Sequence, residues 1–596
     1  MTARPRLCLS LGVTGHREAN LRGADLEALR SVVAGALAQA EAALQAVARQ
    51  HTEAFDAASP RLRLLSALAD GADSLVAHAA LERGWRLDAC LPFAREEYAA
   101  DFDAPQLADY EALLARSDAV FELPGQRADV EAAYESVGRL ILDQCDLLIA
   151  LWDGDRNRGR GGTSYVVAEA VARQVPVLHI HTSGSQPPQI LWSGLGIAEL
   201  DQPTVETVPR AALQDMLPQV VAALTEPPQP EVDRRMLQRF YSEPATRSRP
   251  PLTYTMLLAA AGVRRLTRRD LQPLSAADGA RAIRAPLASD RLDAGFLDPI
   301  AGRYGVADLA GSHFAQLFRS GFVANYLLAG FAVVLALSGL LAPALKLPLI
   351  LAELACVMLI IANTQAGRRL GWHERWMDNR HLAEQLRSLA MSSVVGDLAL
   401  RSTLGTRDAA AVPGWVDWLA RATARETGLP QVRVDEGYLR EVHQGALRLV
   451  DEQLGYHRAN AARMHKLEHR LHRAGEVLFG ATVAGCLGWI TFKLGGLPMG
   501  VKGKVGLTEI VTFATVAMPA LGSAIYGVRM QGDFAGAAYR SQVTVERLER
   551  LRQAMAGDPM EHARLLARLR NLSDIMTNDI GNWRTTFKAR PLTLPG

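Results

Sequence analysis

Residues 7–17 read LCLSLGVTGHR, an apolar run that ends in a polar turn containing glycine. A signal peptide needs a longer apolar region and a small-residue cleavage site, so this stretch predicts a first β-strand in the cytoplasm. Beyond it, apolar runs and helical patterns alternate over residues 24–49, 61–67, 72–83, 86–91, 119–123, 130–142, 147–153, 163–173 and 177–181. Strands separated by helices of about 10–15 residues indicate an α/β fold with a mainly parallel sheet.

The composition excludes several classes of protein. Of the 596 residues 49% are hydrophobic and 21% charged, values that exclude a disordered chain. The 65 basic and 63 acidic residues leave a net charge of +2, which argues against a nucleic-acid partner. The five cysteines are scattered and form no C-x-x-C motif. We therefore expect neither a disulfide framework nor a metal site built on cysteine.

Four apolar segments predict a membrane region in the second half of the chain. They cover residues 322–341, 347–362, 477–492 and 510–528, and the first holds 20 residues without a charge. About 20 apolar residues suffice for a helix to cross a bilayer. The shorter segments also fit buried helices of a soluble protein, but their pairing across short turns favours the membrane. We expect an all-α membrane region with four transmembrane helices in two hairpins.

The basic residues predict how these helices are oriented. Fourteen Lys and Arg residues lie near the segment ends that we expect inside the cell, whereas the two turns hold four: Lys346, Lys493, Lys502 and Lys504. Basic loops stay on the cytoplasmic side. We therefore expect a multi-pass protein of the inner membrane, in contact with lipid, with both termini in the cytoplasm.

These patterns divide the chain into five regions. They are an α/β domain at 1–225, a connector at 226–310, a first hairpin with flanking helices at 311–400, a helical connector at 401–455 and a second hairpin at 456–596. Each hairpin is followed by a charged helix of similar pattern, Glu384-x-Leu386-x-x-Leu389 and Glu546-x-Leu548-x-x-Leu551. The similarity indicates either an internal repeat or ordinary helix patterning.

Polar, glycine-containing loops follow several of the predicted strands. Because parallel strands place their carboxyl ends at one sheet edge, we expect these loops to meet and bind a ligand there. Glycine lets the backbone approach a ligand, and the free amides of a helix N-terminus favour phosphate. A single loop of this kind is more often only a turn. Asp73 lies near a helix start, where its negative charge would stabilise the helix through the helix dipole even without a ligand. The candidate residues are Thr14, Gly15, His16, Arg17, Gly71, Ala72, Asp73, Gly161, Gly162 and Thr163.

Motifs of the α/β region also follow a familiar order. They are TGHR at 14–17, GADSLV at 71–76, CDLLIALWD at 145–153, and GGT at 161–163 leading to Glu169. Together they resemble the SLOG superfamily over about residues 5–225. This Rossmann-like group includes the LOG phosphoribohydrolases, DprA-like proteins and the ligand-sensing domains of TRPM channels. The resemblance implies binding of a nucleotide or ADP-ribose-like signal and adds Asp153 and Glu169 to the site.

One departure from that pattern bears on catalysis. The LOG enzymes carry P-G-G-x-G-T-x-x-E, in which the glutamate follows the threonine by three residues. Here no proline precedes the glycines, and Glu169 lies six residues after Thr163. The departure favours a sensor over a hydrolase, so we assign no catalytic residue and no cofactor beyond the signal itself.

The membrane region carries a resemblance of its own. Residues 314–327 read FAQLFRSGFVANYL before the first hairpin, and HLAEQLR at 381–387 follows it. These stretches are similar to the SLATT group, two-helix membrane effectors associated with SMODS and SLOG proteins. The similarity implies a nucleotide-triggered, pore-forming effector of a bacterial antiphage system. Because a single four-helix bundle fills its centre with side chains, we expect a homo-oligomer around the pore.

Two charged features of the helical region need interpretation. Glu353 lies within an apolar segment, where an unpartnered carboxylate costs several kcal/mol. It either lines the pore or is a neutral, hydrogen-bonded carboxylic acid. A second feature is a row of histidines, surrounded by basic residues that oppose metal capture and favour contact with the inner leaflet. The row comprises His457, His465, His469 and His472.

The leading hypothesis is a cytoplasmic nucleotide sensor that gates or triggers a membrane pore. The alternative is an enzyme, a membrane-anchored nucleotide N-glycosidase in which Glu169 or Asp153 assists loss of the base. A third hypothesis, a membrane scaffold with an inert α/β domain, leaves the convergent loops unexplained.

Overall fold

A parallel sheet with flanking helices is followed by a region of long helices. The computed structural model describes residues 4–21, 25–155, 161–183, 186–194, 203–248, 251–398, 414–495, 506–588, 592 and 594. The predicted α/β fold with a mainly parallel sheet, followed by a helical region, is confirmed.

Within the described residues, nine strands form the main sheet in the order β11-β4-β3-β2-β1-β5-β6-β7-β8. They are β1 (Cys8–Gly15), β2 (Arg61–Ser66), β3 (Arg86–Leu91), β4 (Ala119–Glu122), β5 (Leu147–Trp152), β6 (Val177–His181), β7 (Gln189–Leu191), β8 (Arg210–Ala212) and β11 (Val432–Arg433). The last two pairings, β6–β7 and β7–β8, are antiparallel, and the others are parallel. Strands such as β5 are buried along their whole length, because helices cover both faces of the sheet.

The helices of the α/β part alternate with its strands. They are α1 (Glu18–Leu21), α2 (Leu26–Gln50), α3 (Ala72–Glu82), α4 (Arg95–Tyr98), α5 (Ala104–Ala115), α6 (Val130–Gln144), α7 (Thr163–Ala172), α8 (Leu213–Thr225) and α9 (Glu231–Tyr241). Local sequence explains several starts. Asp25 caps α2, and Asp103 with Gln106 forms a capping box at α5.

The region expected as a connector, 226–310, contains several short elements. Besides α9, it holds β9 (Thr246–Arg247) paired with β10 (Leu274–Ser275), α10 (Thr253–Ala260), α11 (Ala276–Arg284) and the start of α12 (Asp298–Leu341). Gly305 on α12 lies so close to α11 that a Cβ there would collide with the carbonyl oxygen of Ala276. The two strands and the helices α9, α10 and α11 are too short to show a clear period in the sequence. Helices of this length are stabilised mainly by packing against the rest of the protein.

The remaining helices are long and mostly apolar. They are α13 (Lys346–Arg369), α14 (Trp372–Ser393), α15 (Trp415–Thr427), α16 (Glu436–Leu494), α17 (Leu507–Gly532), α18 (Phe534–Ala556) and α19 (His562–Lys588). Five helical stretches among the described residues are long and apolar enough to cross a membrane, one of them α2. The apolar face of α2 packs in the core of the α/β part through residues such as Leu29 and Leu37. The other four stretches contain the predicted apolar segments, and they expose large side chains such as Leu347 and Val477.

The region expected as a helical connector, 401–455, is described from residue 414 onward, and it contains α15, β11 and the first turns of α16. Its strand β11 pairs with β4, so it extends the edge of the sheet. Helix α15 packs against the sheet, and Arg425 at its end lies 2.8 Å from Asp146, both side chains being buried. Residues 399–413 lie outside the described part of the chain. Strand β11 has only two residues, and its partner β4 lies about 310 positions earlier in the sequence. A strand this short shows no alternation of apolar and polar residues from which it could be predicted.

The two hairpins have the same arrangement. In α12–α13–α14 and in α16–α17–α18, a long helix turns into a second helix, and a charged third helix packs back on the first. The leucines of the shared pattern are buried in both third helices, but Glu384 is buried while Glu546 is exposed. Helix α12 also packs on α17, which joins the hairpins. One continuous core contains residues from the sheet and from α12, α14, α16, α18 and α19.

Candidate functional site

The candidate site lies where the order of the sheet reverses. From β1 the chain builds outward through β2, β3 and β4, and then returns to place β5 on the other side of β1. Ligands of open α/β sheets bind in the crevice outside the carboxyl ends of the strands at this switch point. The loops after Gly15 and Trp152, which end β1 and β5, both open into this crevice. The structure therefore brings the predicted loops together.

Small residues let the loops after β1 and β2 touch. A Cβ on Gly15 would collide with the Cβ of Ala72, and the Ala72 amide donates to the carbonyl oxygen of His16 at 3.0 Å. Gly71 has φ +89°, and a Cβ there would lie 2.5 Å from the amide nitrogen of Glu18. Gly15, Gly71 and Ala72 thus set the approach of the two loops, which positions their polar neighbours.

His16 and Asp153 meet at the centre of the crevice. The imidazole Nε2 of His16 lies 2.9 Å from Oδ1 of Asp153 and 3.3 Å from its backbone nitrogen. The tautomer decides which contact is a hydrogen bond, since Nε2 either donates to the carboxylate or accepts from the amide. His16 is buried, whereas the Asp153 side chain is 30% exposed. The carboxylate therefore presents an acceptor to solvent on a rigid support.

Arg17 presents a positive charge beside this pair. Its guanidinium lies 3.7 Å from Oδ1 of Asp70 and donates to the Tyr134 hydroxyl at 2.9 Å. The Tyr134 hydroxyl in turn donates to Asp101 at 2.5 Å. With 42% of its side chain exposed, Arg17 is held in place and still open to an anion. Thr14 is the partly buried residue before Gly15.

Asp73 lies beneath these loops at the start of α3. It is buried, and the Ser66 hydroxyl is 3.5 Å from its Oδ2. Burial raises the pKa of Asp73 from 3.8 to about 7, although backbone hydrogen bonds from Ala69 and Ala67 oppose the rise. A carboxyl in this state is a proton donor or acceptor near neutral pH. It is screened from direct contact with solvent.

Tyr98 is a residue of this region that the sequence gives no reason to select. Its side chain is fully buried, and its hydroxyl has no hydrogen-bond partner within the described residues. Burial raises the pKa of Tyr98 well above its usual value, and the neighbouring Tyr134 and Asp73 raise it further. A buried hydroxyl without a partner is rare and marks a place where a water or ligand group fits.

Helix α7 begins beside the crevice at Thr163, which is buried. Gly162 precedes it and, having no side chain, contributes no capping group to a helix N-terminus, a place that in general favours an anion. Gly161 has φ +78° and packs on α6, where a Cβ would lie 3.0 Å from the carbonyl oxygen of Glu131. Residues 156–160 of this loop lie outside the described part.

Glu169 does not reach the crevice. It lies further along α7, where its carboxylate is 2.6 Å from Arg173 and 3.9 Å from Arg139. Six residues of helix place it about 9 Å beyond Thr163. It therefore belongs to an ion-pair network at the far end of the helix, away from the other candidate residues.

In the helical region, Glu353 is partly buried on α13, on the same face as Cys356 and Ile360. No charged partner for it occurs in the described ranges. The histidine row divides: His457 is buried, while His465, His469 and His472 are exposed. Burial, and then the charge of Arg380, lowers the pKa of His457 to about 4. Among the residues that the structure describes, no group of three or more His, Cys, Asp or Glu is arranged to hold a metal ion.

Comparison with known proteins does not assign a function to the chain. No protein-family model matches it, and no curated protein matches it either. Its function is therefore argued from its own residues.

Proposed function

We propose that the protein is a nucleotide-sensing membrane effector. The carrying observation is the crevice at the β1–β5 switch point, which holds His16, Asp153 and Arg17 and lies beside the start of α7. Arg17 and the α7 amides suit a phosphate, and Asp153 suits a ribose hydroxyl. This combination favours a nucleotide or an ADP-ribose-like signal. The position of Glu169, held by Arg173, disfavours the glycosidase alternative.

Two helices lead from the crevice to the helical region. Helix α6 carries Tyr134, the partner of Arg17, near one end and Asp143 at the other, about 14 Å away. Helix α7 begins at the crevice and is followed by Arg173, which lies 2.9 Å from the same Asp143. A movement of α6 or of α7 on ligand binding therefore changes the surroundings of the same carboxylate, that of Asp143.

Asp143 connects this pair of helices to the hairpins. Arg570 on α19 bridges Asp143 at 3.0 Å and Asp397 at 2.8 Å. Asp397 follows α14, whose other end adjoins α13 at Gly371. Gln144 adds a hydrogen bond to the carbonyl oxygen of Gly396 at 2.6 Å. A ligand that binds one arrangement of this network more tightly than another shifts the equilibrium between them. The shift, which extends to the membrane helices, is set by the ratio of the two affinities.

The membrane part of the proposal has four transmembrane helices in two hairpins, with both termini in the cytoplasm. They correspond to the apolar parts of α12, α13, α16 and α17. Several protomers surround the pore, and Glu353 lines it. We propose that this effector acts in bacterial antiphage defence, where the signal opens or triggers the pore. Reporter fusions at Lys346 and at Lys502 should both report the periplasm, and a cytoplasmic signal from both contradicts the topology.

Calorimetry on the full-length protein in detergent tests the ligand site, with ADP-ribose, ATP and cyclic dinucleotides as probes. Arg17→Gln should weaken binding by roughly 10- to 100-fold, since a hydrogen bond to a charged group contributes about 1.5–3 kcal/mol. Arg86→Gln is the matched control. Arg86 is equally exposed and lies 3.6 Å from Asp118, but at the opposite sheet edge. Equal losses in both variants, or no binding by the unaltered protein, would refute the proposal.

A further inference from the structure

A second binding place lies between α18 and α19, and it shares no lining residue with the crevice at β1 and β5. The two helices line a cavity of about 460 Å³ that is open to solvent. That volume falls within the range of about 300–1,000 Å³ typical of small-molecule sites. Its lining residues are Arg547, Arg550, Leu551, Ala554, Arg568, Asn571, Asp574 and Ile575.

The spacing of these residues puts one stripe of each helix on the cavity. Arg547, Arg550 and Ala554 follow the i, i+3, i+7 spacing of one helical face, and Arg568, Asn571 and Ile575 do the same on α19. The cavity is therefore a property of two facing helices, and both contribute basic or amide groups.

The positive charge of the cavity is only partly neutralised. Arg568 is held by Asp558, with contacts of 2.6 and 3.0 Å. Arg547 and Arg550 have no ion pair or hydrogen bond from their side chains among the described residues, although neighbouring arginines of α18 are paired. Arg552, for example, lies 2.6 Å from Asp451. Two adjacent guanidinium groups thus remain available within one turn of helix.

The rest of the lining restricts the chemistry of an occupant. Leu551 and Ile575 are buried and provide an apolar floor. Asn571 and the Asp574 carboxyl offer polar contacts to a neutral part of a ligand. A guanidinium group often donates two parallel hydrogen bonds to two oxygens of one phosphate. A phosphate-bearing molecule with an organic portion satisfies both ends of the cavity.

We infer that the α18–α19 cavity is a binding site for a phosphate-bearing small molecule. The site does not depend on the proposed nucleotide crevice. Its occupant touches α19 at Arg568 and Asn571, beside Arg570, which bridges to Asp143 and Asp397. A phosphate bound between α18 and α19 therefore stabilises the packing of the helix that joins the α/β part to the hairpins.

The phosphate has two possible sources, a soluble metabolite and a lipid headgroup. Arg547 lies 13 residues after the start of α18, which places it about 20 Å along the helix from the end of α17. The two sources share their phosphate chemistry. They differ in whether the ligand is delivered from solution or from a bilayer.

The experiment measures binding to the full-length protein with three probes. Pyrophosphate and glycerol 3-phosphate, neither of which is a nucleotide, represent soluble phosphates, and nanodiscs of phosphatidylglycerol, compared with phosphatidylcholine, represent lipid. Arg547→Gln/Arg550→Gln should weaken binding of the active probe by roughly tenfold or more, because it removes two charged donors. Arg552→Gln/Arg564→Gln, which changes the same net charge on the same two helices outside the cavity lining, should change it less than twofold.

Ala554→Leu provides a test without any charge change, since it fills the cavity. Loss of soluble-phosphate binding in both cavity variants supports a metabolite site. Loss confined to phosphatidylglycerol nanodiscs supports a lipid site. Absence of binding with all three probes, or equal losses in the cavity and control variants, overturns the inference. Thermal unfolding of each variant verifies that it is folded.

Discussion

Replacement of Asp73 by asparagine gives a direct test of the electrostatics beneath the crevice. The carboxyl is buried at the start of α3, and its pKa is raised from 3.8 to about 7, chiefly by burial. Below pH 3.8 the group is neutral in both the folded and the unfolded chain. As the pH rises, the unfolded chain releases the proton while the folded chain keeps it. The folded state therefore loses stability until the pH passes 7, and the loss is constant above that.

The size of the effect follows from the pKa difference. At about 1.36 kcal/mol per unit the full loss is ~4 kcal/mol, and about 2.5 kcal/mol of it falls between pH 5 and pH 8. Asp73→Asn removes this titration. The melting temperature of the variant relative to the unaltered protein should rise by roughly 5–10 °C between those pH values, if the α/β part melts as one unit.

Thermal unfolding of both proteins in detergent, monitored at pH 5 and pH 8, measures this difference. Ser74→Ala is the control. It alters a neighbouring side chain, whose hydroxyl donates to the carbonyl oxygen of Gly71, without removing a titrating group. If the difference in melting temperature between Asp73→Asn and the unaltered protein is the same at pH 5 and pH 8, the raised pKa of Asp73 is refuted.

Three further predictions concern the rest of the chain. Arg570→Ala should leave nucleotide affinity within about twofold but abolish ligand-induced leakage from liposomes, because it cuts the bridge between Asp143 and Asp397; Arg564→Ala should leave both unchanged. Glu353→Ala should alter liposome leakage without changing nucleotide affinity. If Glu353→Ala still releases the base of a nucleotide and Glu169→Ala does not, the enzyme alternative is favoured. Arg425→Ala should lower the stability of the α/β part by about 3–5 kcal/mol in thermal unfolding, since it removes the cation that balances the charge of the buried Asp146 carboxylate, and a change below 1 kcal/mol would contradict that.

The sequence alone was sufficient for the elements whose residues follow a local period. The buried strands read as apolar runs, and the amphipathic helices between them imply right-handed crossovers and hence a parallel sheet. The long apolar helices are equally visible, because burial in lipid or against another helix requires apolar side chains over many turns. The convergence of the β1, β2 and β5 loops followed from the same logic, since parallel strands end at one edge.

Tertiary structure decided what depends on contacts between distant residues. The pairing of β11 with β4 and the burial of Arg425 against Asp146 join segments that are hundreds of residues apart, and each partner looks ordinary in its own stretch of sequence. Burial of the Tyr98 hydroxyl without a hydrogen-bond partner among the described residues also depends on the packing of several elements. Glu169 is held away from the crevice by Arg173 on its own helix and by Arg139 on α6, and only the structure brings α6 and α7 together. Local periodicity specifies which face of an element is buried. The partner across that face is specified by packing of the whole chain, which no short stretch of sequence contains.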